Sequence, residues 1–176
     1  MLVCVAGIWI GGLHAGGIVN YKNYENGKSD CVIEIARKEI GVREAGCENC
    51  GRRVEAYLGY VGFREAAPWC AAFVSWVFGQ AGFDRPRTAW SPALFPSSRL
   101  IKQVFPGSLA GIYFSSLKRI GHCGIVESMR KDWYTLIEGN TNVAGNREGD
   151  GVYRRIRHKR TISRYADWLS FTLKKE

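Results

Sequence analysis

The sequence predicts an α+β fold, with N-terminal helices packed on a C-terminal antiparallel β-sheet. Three observations carry this reading. Apolar residues recur at helical spacing in the first half of the chain. Short β-branched and aromatic runs, separated by turn residues, fill the second half. Between them lies AAPWCAAFVSWVFGQAG, an apolar stretch that reads as a buried helix opening at Cys70.

The elements follow in order. CVIEIARKEI (31–40) sets Val32, Ile35, Ala36 and Ile40 on one helical face, and Gly41 stops it. VEAYLGYV (54–61) does the same with Val54, Tyr57, Leu58 and Val61, ahead of Gly62. The third helix runs from Cys70 toward Gly82 and is apolar on nearly all sides, which marks it as central. Residues 83–106 hold four of the five prolines. This segment predicts a long surface crossover with one short helix near Ser97 to Gln103, anchored by Trp90 and Phe95, and placed to wall a cleft. After Pro106-Gly107 come AGIYFSS, HCGIVES, WYTLIEG and GVYRRIR as strands, with ADWLSFTL as a further strand.

Composition bounds the function. The 176 residues fit one domain, and 46% apolar content with six tryptophans excludes a disordered chain. Net charge is +9, and Arg147, Arg154, Arg155, Arg157, Lys159, Arg160 and Arg164 fall within eighteen residues. Such a run suits an anionic partner: a wall polymer, lipid headgroups or nucleic acid. A solvated basic face on edge strands would look the same. The first nineteen residues carry no Asp, Glu, Lys or Arg, so residues 1–20 read as a signal peptide or signal-anchor, and the protein as exported. The segment departs from the usual pattern: no basic residue precedes it, five glycines interrupt it, and cleavage after Ala15 would put Leu13 at minus three. No other stretch is long enough to span a bilayer.

Six cysteines are present: Cys4, Cys31, Cys47, Cys50, Cys70 and Cys123. Setting Cys4 aside with the N-terminal segment, and one as a nucleophile, leaves enough for two disulfides, with the pairing open. Cys47 and Cys50 form one CxxC, which alone is no zinc site and predicts a loop with a local disulfide or two free thiols. His14 and His158 have no ligand-like neighbours, so no metal and no cofactor is expected.

The chemistry is carried by spacing. A thiol at a helix start ionises more easily, because unpaired N–H groups and the helix dipole favour an anion there. Cys70 meets this condition, and its own N–H is a natural oxyanion donor. His122 opens a strand as a candidate base, and Glu138 ends the next strand as its orienting group. In an antiparallel hairpin the start of one strand lies beside the end of the next, so the two can meet. Asn140 joins the same side if the extended backbone continues. Trp69 lines the substrate groove or belongs to the core. Cys123, directly after His122, faces the other way and reads as a small core residue.

The set PWCAAFVSW, PGSLAGIYF, GHCGIVE and IEGNTN resembles the cysteine, histidine-dependent amidohydrolase/peptidase (CHAP) family of the papain-like superfamily, over roughly residues 31–160. The resemblance implies a single catalytic domain spanning 28–176, with Cys70 as nucleophile, His122 as general base, Glu138 as orienter and Asn140 assisting. It implies peptidoglycan hydrolysis in a bacterial envelope, as an N-acetylmuramoyl-L-alanine amidase or a stem or cross-bridge endopeptidase. One departure is visible: Ser108 stands where the family commonly has Asp in Pro-Gly-Asp. Two alternatives stand beside it. One is a non-catalytic wall- or polyanion-binding module, with nucleic acid ranked below the wall. The other is a papain-like peptidase or acyltransferase with a non-wall substrate. A zinc amidase lacks its histidines.

Overall fold

A computed structural model describes residues 21–145 and 149–170, and for 21–26 the backbone alone. The expected leader (1–20), Cys4, Arg147 and the end of ADWLSFTL lie outside the described residues. The architecture is α+β. Three helices, α1 (Tyr21–Lys38), α2 (Arg52–Tyr60) and α3 (Cys70–Gln80), precede five strands: β1 (Leu109–Phe114), β2 (Arg119–Arg130), β3 (Trp133–Thr141), β4 (Gly151–His158) and β5 (Arg164–Ala166). The sheet is antiparallel at every pairing, in the order β4-β3-β2-β1-β5.

Helix α3 is the centre of the fold, as its composition predicts. Every residue from Cys70 to Phe78 is buried. It packs against α1 and α2 on one side and against β2 and β3 on the other. The sheet face toward α3 carries Leu109, Cys123, Ile125 and Ile137, while Ala110, Val126, Leu136 and Ile162 form a small cluster on the opposite face. This is the period-2 alternation expected of a strand covered on both sides. The helix lies close to the sheet backbone at Gly139, where an added Cβ would sit 2.7 Å from Trp69 Cζ3 and 2.8 Å from Phe73 Cβ.

Aromatic rings fill the seam between α2 and α3. Tyr57 stands 5.5, 5.4 and 5.3 Å from the ring centroids of Trp69, Phe73 and Trp76. Buried Glu39 is held there by the Arg53 fork, with Nε 2.6 Å from Oε2, and by the Tyr57 hydroxyl. The Arg53 guanidinium also lies 4.3 Å over the Trp76 ring, a cation–π contact.

Three expectations change. Among the described residues the last strand is Arg164–Ala166, and Asp167 to Ser170 follow it as an irregular segment, so the described part of ADWLSFTL contributes Ala166 alone to the sheet. There Trp168 donates from Nε1 to the Leu94 carbonyl at 2.9 Å, which packs the segment instead of pairing it. The crossover holds two 3-10 turns, Ser91–Leu94 and Ser97–Arg99; Phe95 is buried in it, whereas Trp90 is 58% exposed and anchors nothing. The basic run is partly engaged within the fold, while Arg154, Lys159, Arg160 and Arg164 stay exposed, as a solvated basic face would have them. Arg154 forks onto Glu127 at 2.6 and 2.9 Å, Lys159 pairs with Asp132 at 2.7 Å, and Arg155 donates to the Val143 carbonyl. Cys47 and Cys50 form a disulfide in the α1–α2 loop. No helix among the described residues is long and apolar enough to cross a membrane.

Ser108, the departure in the Pro-Gly turn, still closes it. Its hydroxyl donates to the Phe105 carbonyl at 2.6 Å, and Gly107 takes the left-handed φ of 89° that the turn requires. The close approach at Gly139 gives a stability test. Gly139→Ala should lower unfolding free energy by about 1–3 kcal/mol through overpacking, read by urea denaturation, because the new methyl meets side chains that are themselves fully buried.

Candidate active site

Cys70 is the first residue of α3, so its N–H has no acceptor within the helix. The preceding residue, Trp69, provides no side-chain cap. The positive end of the helix therefore bears directly on the thiol. A groove of about 280 Å³ opens onto Cys70, walled by Phe63, Pro68, Trp90, Ser91, Arg119 and Gly121. The Pro-rich crossover supplies Trp90 and Ser91, so it forms one wall as its position predicts.

His122 on β2 and Glu138 on β3 meet across the hairpin, but inside the strands and not at their ends: β2 begins three residues before His122, and β3 runs three residues past Glu138. Nε2 of His122 is 2.8 Å from Oε2 of Glu138, and both side chains are fully buried. Ile125 and Ile137 are register partners, which sets β2 and β3 side by side at this point. Gly124 makes room for the carboxylate: a Cβ there would sit 2.6 Å from Glu138 Cγ. The other ring nitrogen, Nδ1, has no hydrogen-bond partner at ordinary distance. The His122 ring and the Cys70 thiol are close enough for each to shift the other's proton affinity.

A second carboxylate partner was not visible in the sequence. Arg157 on β4 forks onto Glu138, with Nε 2.5 Å from Oε1 and Nη2 2.6 Å from Oε2, and also donates to the Gly145 carbonyl at 3.1 Å. In the sequence it was one of seven basic residues in a run, and nothing in its spacing set it apart.

Asn140 takes another place than the extended-chain argument gives it. The β3–β4 register breaks between Glu138 and Thr141, and Asn140 adopts the left-handed φ of 54°, a conformation asparagine tolerates well. Its Oδ1 accepts from the Trp69 N–H at 3.2 Å, and its Nδ2 donates to Asn49 Oδ1 and to the Gly149 carbonyl, both at 3.1 Å. It holds the loop that enters α3, one residue before the thiol. Trp69 resolves toward the core. It is 0% exposed, stacked among Tyr57 and Phe73, with Nε1 donating to Glu44 at 2.8 Å, so it cannot line the groove. Trp90 is the tryptophan that does.

Cys123 is a small core residue, as its position in the strand predicts, but it does not face away from the site. It lies on the helix side of the sheet, near enough to Cys70 for each thiol to shift the other's proton affinity. Ser91 adds a hydroxyl 3.2 Å from Cys70 Sγ. Both were missed as partners, because the crossover's path over the thiol and the height of α3 above β2 are tertiary facts.

These contacts separate the proton affinities of the groups. The Cys123 thiol is the largest influence on Cys70; burial opposes it, and the His122 ring and Ser91 hydroxyl add to it, leaving the Cys70 thiol well below the usual thiol range. Burial and the Cys70 contact push Cys123 well above that range, so it stays a thiol. Burial pulls His122 down, but Cys70 and Glu138 outweigh it and raise the imidazole to about 9. Burial pushes Glu138 up, but Arg157 and then His122 outweigh that and hold it at about 2. The arrangement favours a thiolate beside an imidazolium, backed by an ionised carboxylate. Such a set can attack a carbonyl carbon and return a proton to a leaving amine.

A stability window follows. Cys70 and His122 shift in opposite directions, the thiol down and the imidazole up. Glu138 is a fully buried carboxylate held on both flanks. Its folded pKa is depressed, so its contribution is complete above the ordinary value of 4.5 and is lost as pH falls toward about 2. Unfolding free energy should therefore fall steeply between those limits, and Glu138→Gln should flatten that slope in urea titrations run at each pH. An equal slope in both proteins would contradict a buried, ionised Glu138.

No family model matches the chain, and no curated protein matches it. Two solved structures share a similar arrangement, "The crystal structure of Ly7917" at 15% identity and "The crystal structure of Ly7917 with the hydrolyzing product of MDP" at 17%, each with a TM-score of 0.45. Each alignment covers 78% of this chain and about three fifths of the other, 60% and 61% respectively.

Proposed function

We propose that the protein is a cysteine-dependent amidohydrolase of the papain-like CHAP type, acting on an amide bond of bacterial peptidoglycan. The observation that carries this reading is the buried chain Cys70–His122–Glu138 at the start of α3, with the thiol opening onto a groove. The motif resemblance supports the substrate class. So does the net charge of +9, which suits an anionic wall polymer, although part of the late basic run is paired internally. The apolar opening segment fits an exported protein.

In this mechanism the Cys70 thiolate attacks the carbonyl carbon. The Cys70 N–H at the helix start stabilises the oxyanion of the tetrahedral intermediate. The His122 imidazolium gives its Nδ1 proton to the leaving amine, and a thioester forms at Sγ. Water then attacks the thioester carbonyl while neutral His122 takes its proton, and the C–S bond breaks to release the acid and restore the Cys70 thiolate beside the His122 imidazolium. Glu138 fixes the tautomer by accepting from Nε2–H and stabilises the imidazolium. Asn140 holds Trp69, and through it the entry into α3, as a positioning residue. Phe63 and Trp90, both exposed on the groove walls, offer apolar surface to a sugar ring or peptide.

Purified peptidoglycan digested with wild type and with Cys70→Ala in parallel, read by mass spectrometry, tests the proposal. Wild type should release fragments whose masses distinguish muramoyl–peptide cleavage from stem-peptide cleavage, and Cys70→Ala should release none. His122→Ala should lower turnover by about 10²–10⁴-fold, with circular dichroism unchanged. Equal products from wild type and Cys70→Ala would sink the thiol mechanism. Wall binding without products from either would favour a non-catalytic module.

A further inference from the structure

Arg157 lies on an edge strand, and its register partner on β3 is Tyr134, four residues before Glu138. Its side chain nonetheless reaches Glu138 and engages both carboxylate oxygens. Oε2 is shared: it accepts from Arg157 Nη2 at 2.6 Å and meets His122 Nε2 at 2.8 Å. The guanidinium is fixed in turn by the Gly145 carbonyl. A planar fork suits this task, because it orients a carboxylate as well as neutralising it, which a lysine point charge does not.

We infer that Arg157 is a positioning residue of the catalytic machinery, completing a four-member chain of alternating charge: Cys70 thiolate, His122 imidazolium, Glu138 carboxylate, Arg157 guanidinium. The argument is one of charge balance. Glu138 has no exposure to water, and an unpaired carboxylate there would take up a proton. With His122 as its sole partner, the carboxyl would compete for the imidazolium proton and collapse the pair that keeps Cys70 ionised. Arg157 removes that competition and aims Oε2 at Nε2. The titratable and charged groups facing this chain are Cys70 from α3, His122 and Cys123 from β2, Arg157 from β4, and Arg119 from the start of β2 on the groove wall outside the thiol. Of the groups that touch Glu138, Arg157 is the one whose charge does not change with pH.

The inference rests on Cys70 being the nucleophile, so its test avoids turnover. Cys70 is alkylated with iodoacetamide across pH, and its modification is read by peptide mass mapping, which separates it from Cys31 and Cys123. In wild type, reactivity should persist well below the ordinary thiol range. In Arg157→Gln the acid limb should move up by about 1–3 units, and Arg157→Lys should restore most of that shift. A purely structural role would change thermal stability and leave the limb in place. Superimposable wild-type and Arg157→Gln profiles, both acidic, overturn the inference. An ordinary profile in wild type overturns the nucleophile reading instead. If Arg157→Gln does not fold, ¹³C-labelled glutamate in wild type carries the test, with Glu138 identified by its loss in Glu138→Gln. Its carboxyl signal should stay ionised below pH 4.5, the ordinary glutamate value; titration at or above that value overturns the inference.

Discussion

An ionised carboxylate sealed from water is the constraint around which the second half of this chain is arranged. Burying such a group costs several kcal/mol unless partners replace its hydration. Glu138 has those partners on both flanks: His122 from β2 and the Arg157 fork from β4. That requirement fixes three strands relative to one another more tightly than hydrophobic pairing would. It also explains Gly124, where any side chain would occupy the volume of the Glu138 stem. The same carboxylate sets the tautomer of His122 and so leaves Nδ1 for the thiol. Sheet geometry and chemistry are therefore one constraint, seen from the strand side and from the sulfur side.

The helix side obeys a different rule. Helix α3 is buried along its length, and its position over the sheet is set by contact with backbone at Gly139 and by the aromatic seam around Tyr57. Its N-terminus is set by Asn140, whose left-handed backbone turns a β3 residue toward the Trp69 amide. Asn140 is thus the link between the sheet that carries base and carboxylate and the helix that carries the thiol. Glu44 and Asn49 tie the disulfide-bearing loop to Trp69 and Asn140, so the entry into α3 is held from two directions.

Much of this was legible in the sequence, and the reasons differ by element. The helices announce themselves by period, and the strands by β-branched runs broken at turns such as Arg130-Lys131-Asp132. Cys70 was legible because it opens a predictable helix, and His122 and Glu138 because the strands of an antiparallel hairpin run side by side; their places within β2 and β3, three residues in from the strand ends, were not. Arg157 was not, because its role depends on a side chain reaching back along the sheet to a residue other than its register partner. Trp69 and Trp90 carry no local signal to tell core from groove; the crossover's path decides it. Cys123 was read correctly as to burial. Its contact with Cys70 depends on how α3 sits over β2, and no alternation rule contains that. Asn140 departs from the extended chain at a register break, where period-2 reasoning stops. The basic run reads as a surface and is mostly exposed; its pairings with Glu127, Asp132 and Glu138 are a property of three dimensions.

The placement of the three reacting groups on α3, β2 and β3 has a temporal consequence. In the unfolded chain Cys70 is an ordinary thiol, separated from His122 by about fifty residues, with no helix end, no imidazolium and no Ser91 beside it. Hairpins can close early because their contacts are local, but the docking of α3 on the sheet is a long-range event. The lowered proton affinity of Cys70 therefore depends on the packing of α3 on the sheet and not on any single element. In a nascent, partly folded or locally opened molecule the thiol keeps its ordinary proton affinity. Reactivity itself becomes a report that the whole domain has closed.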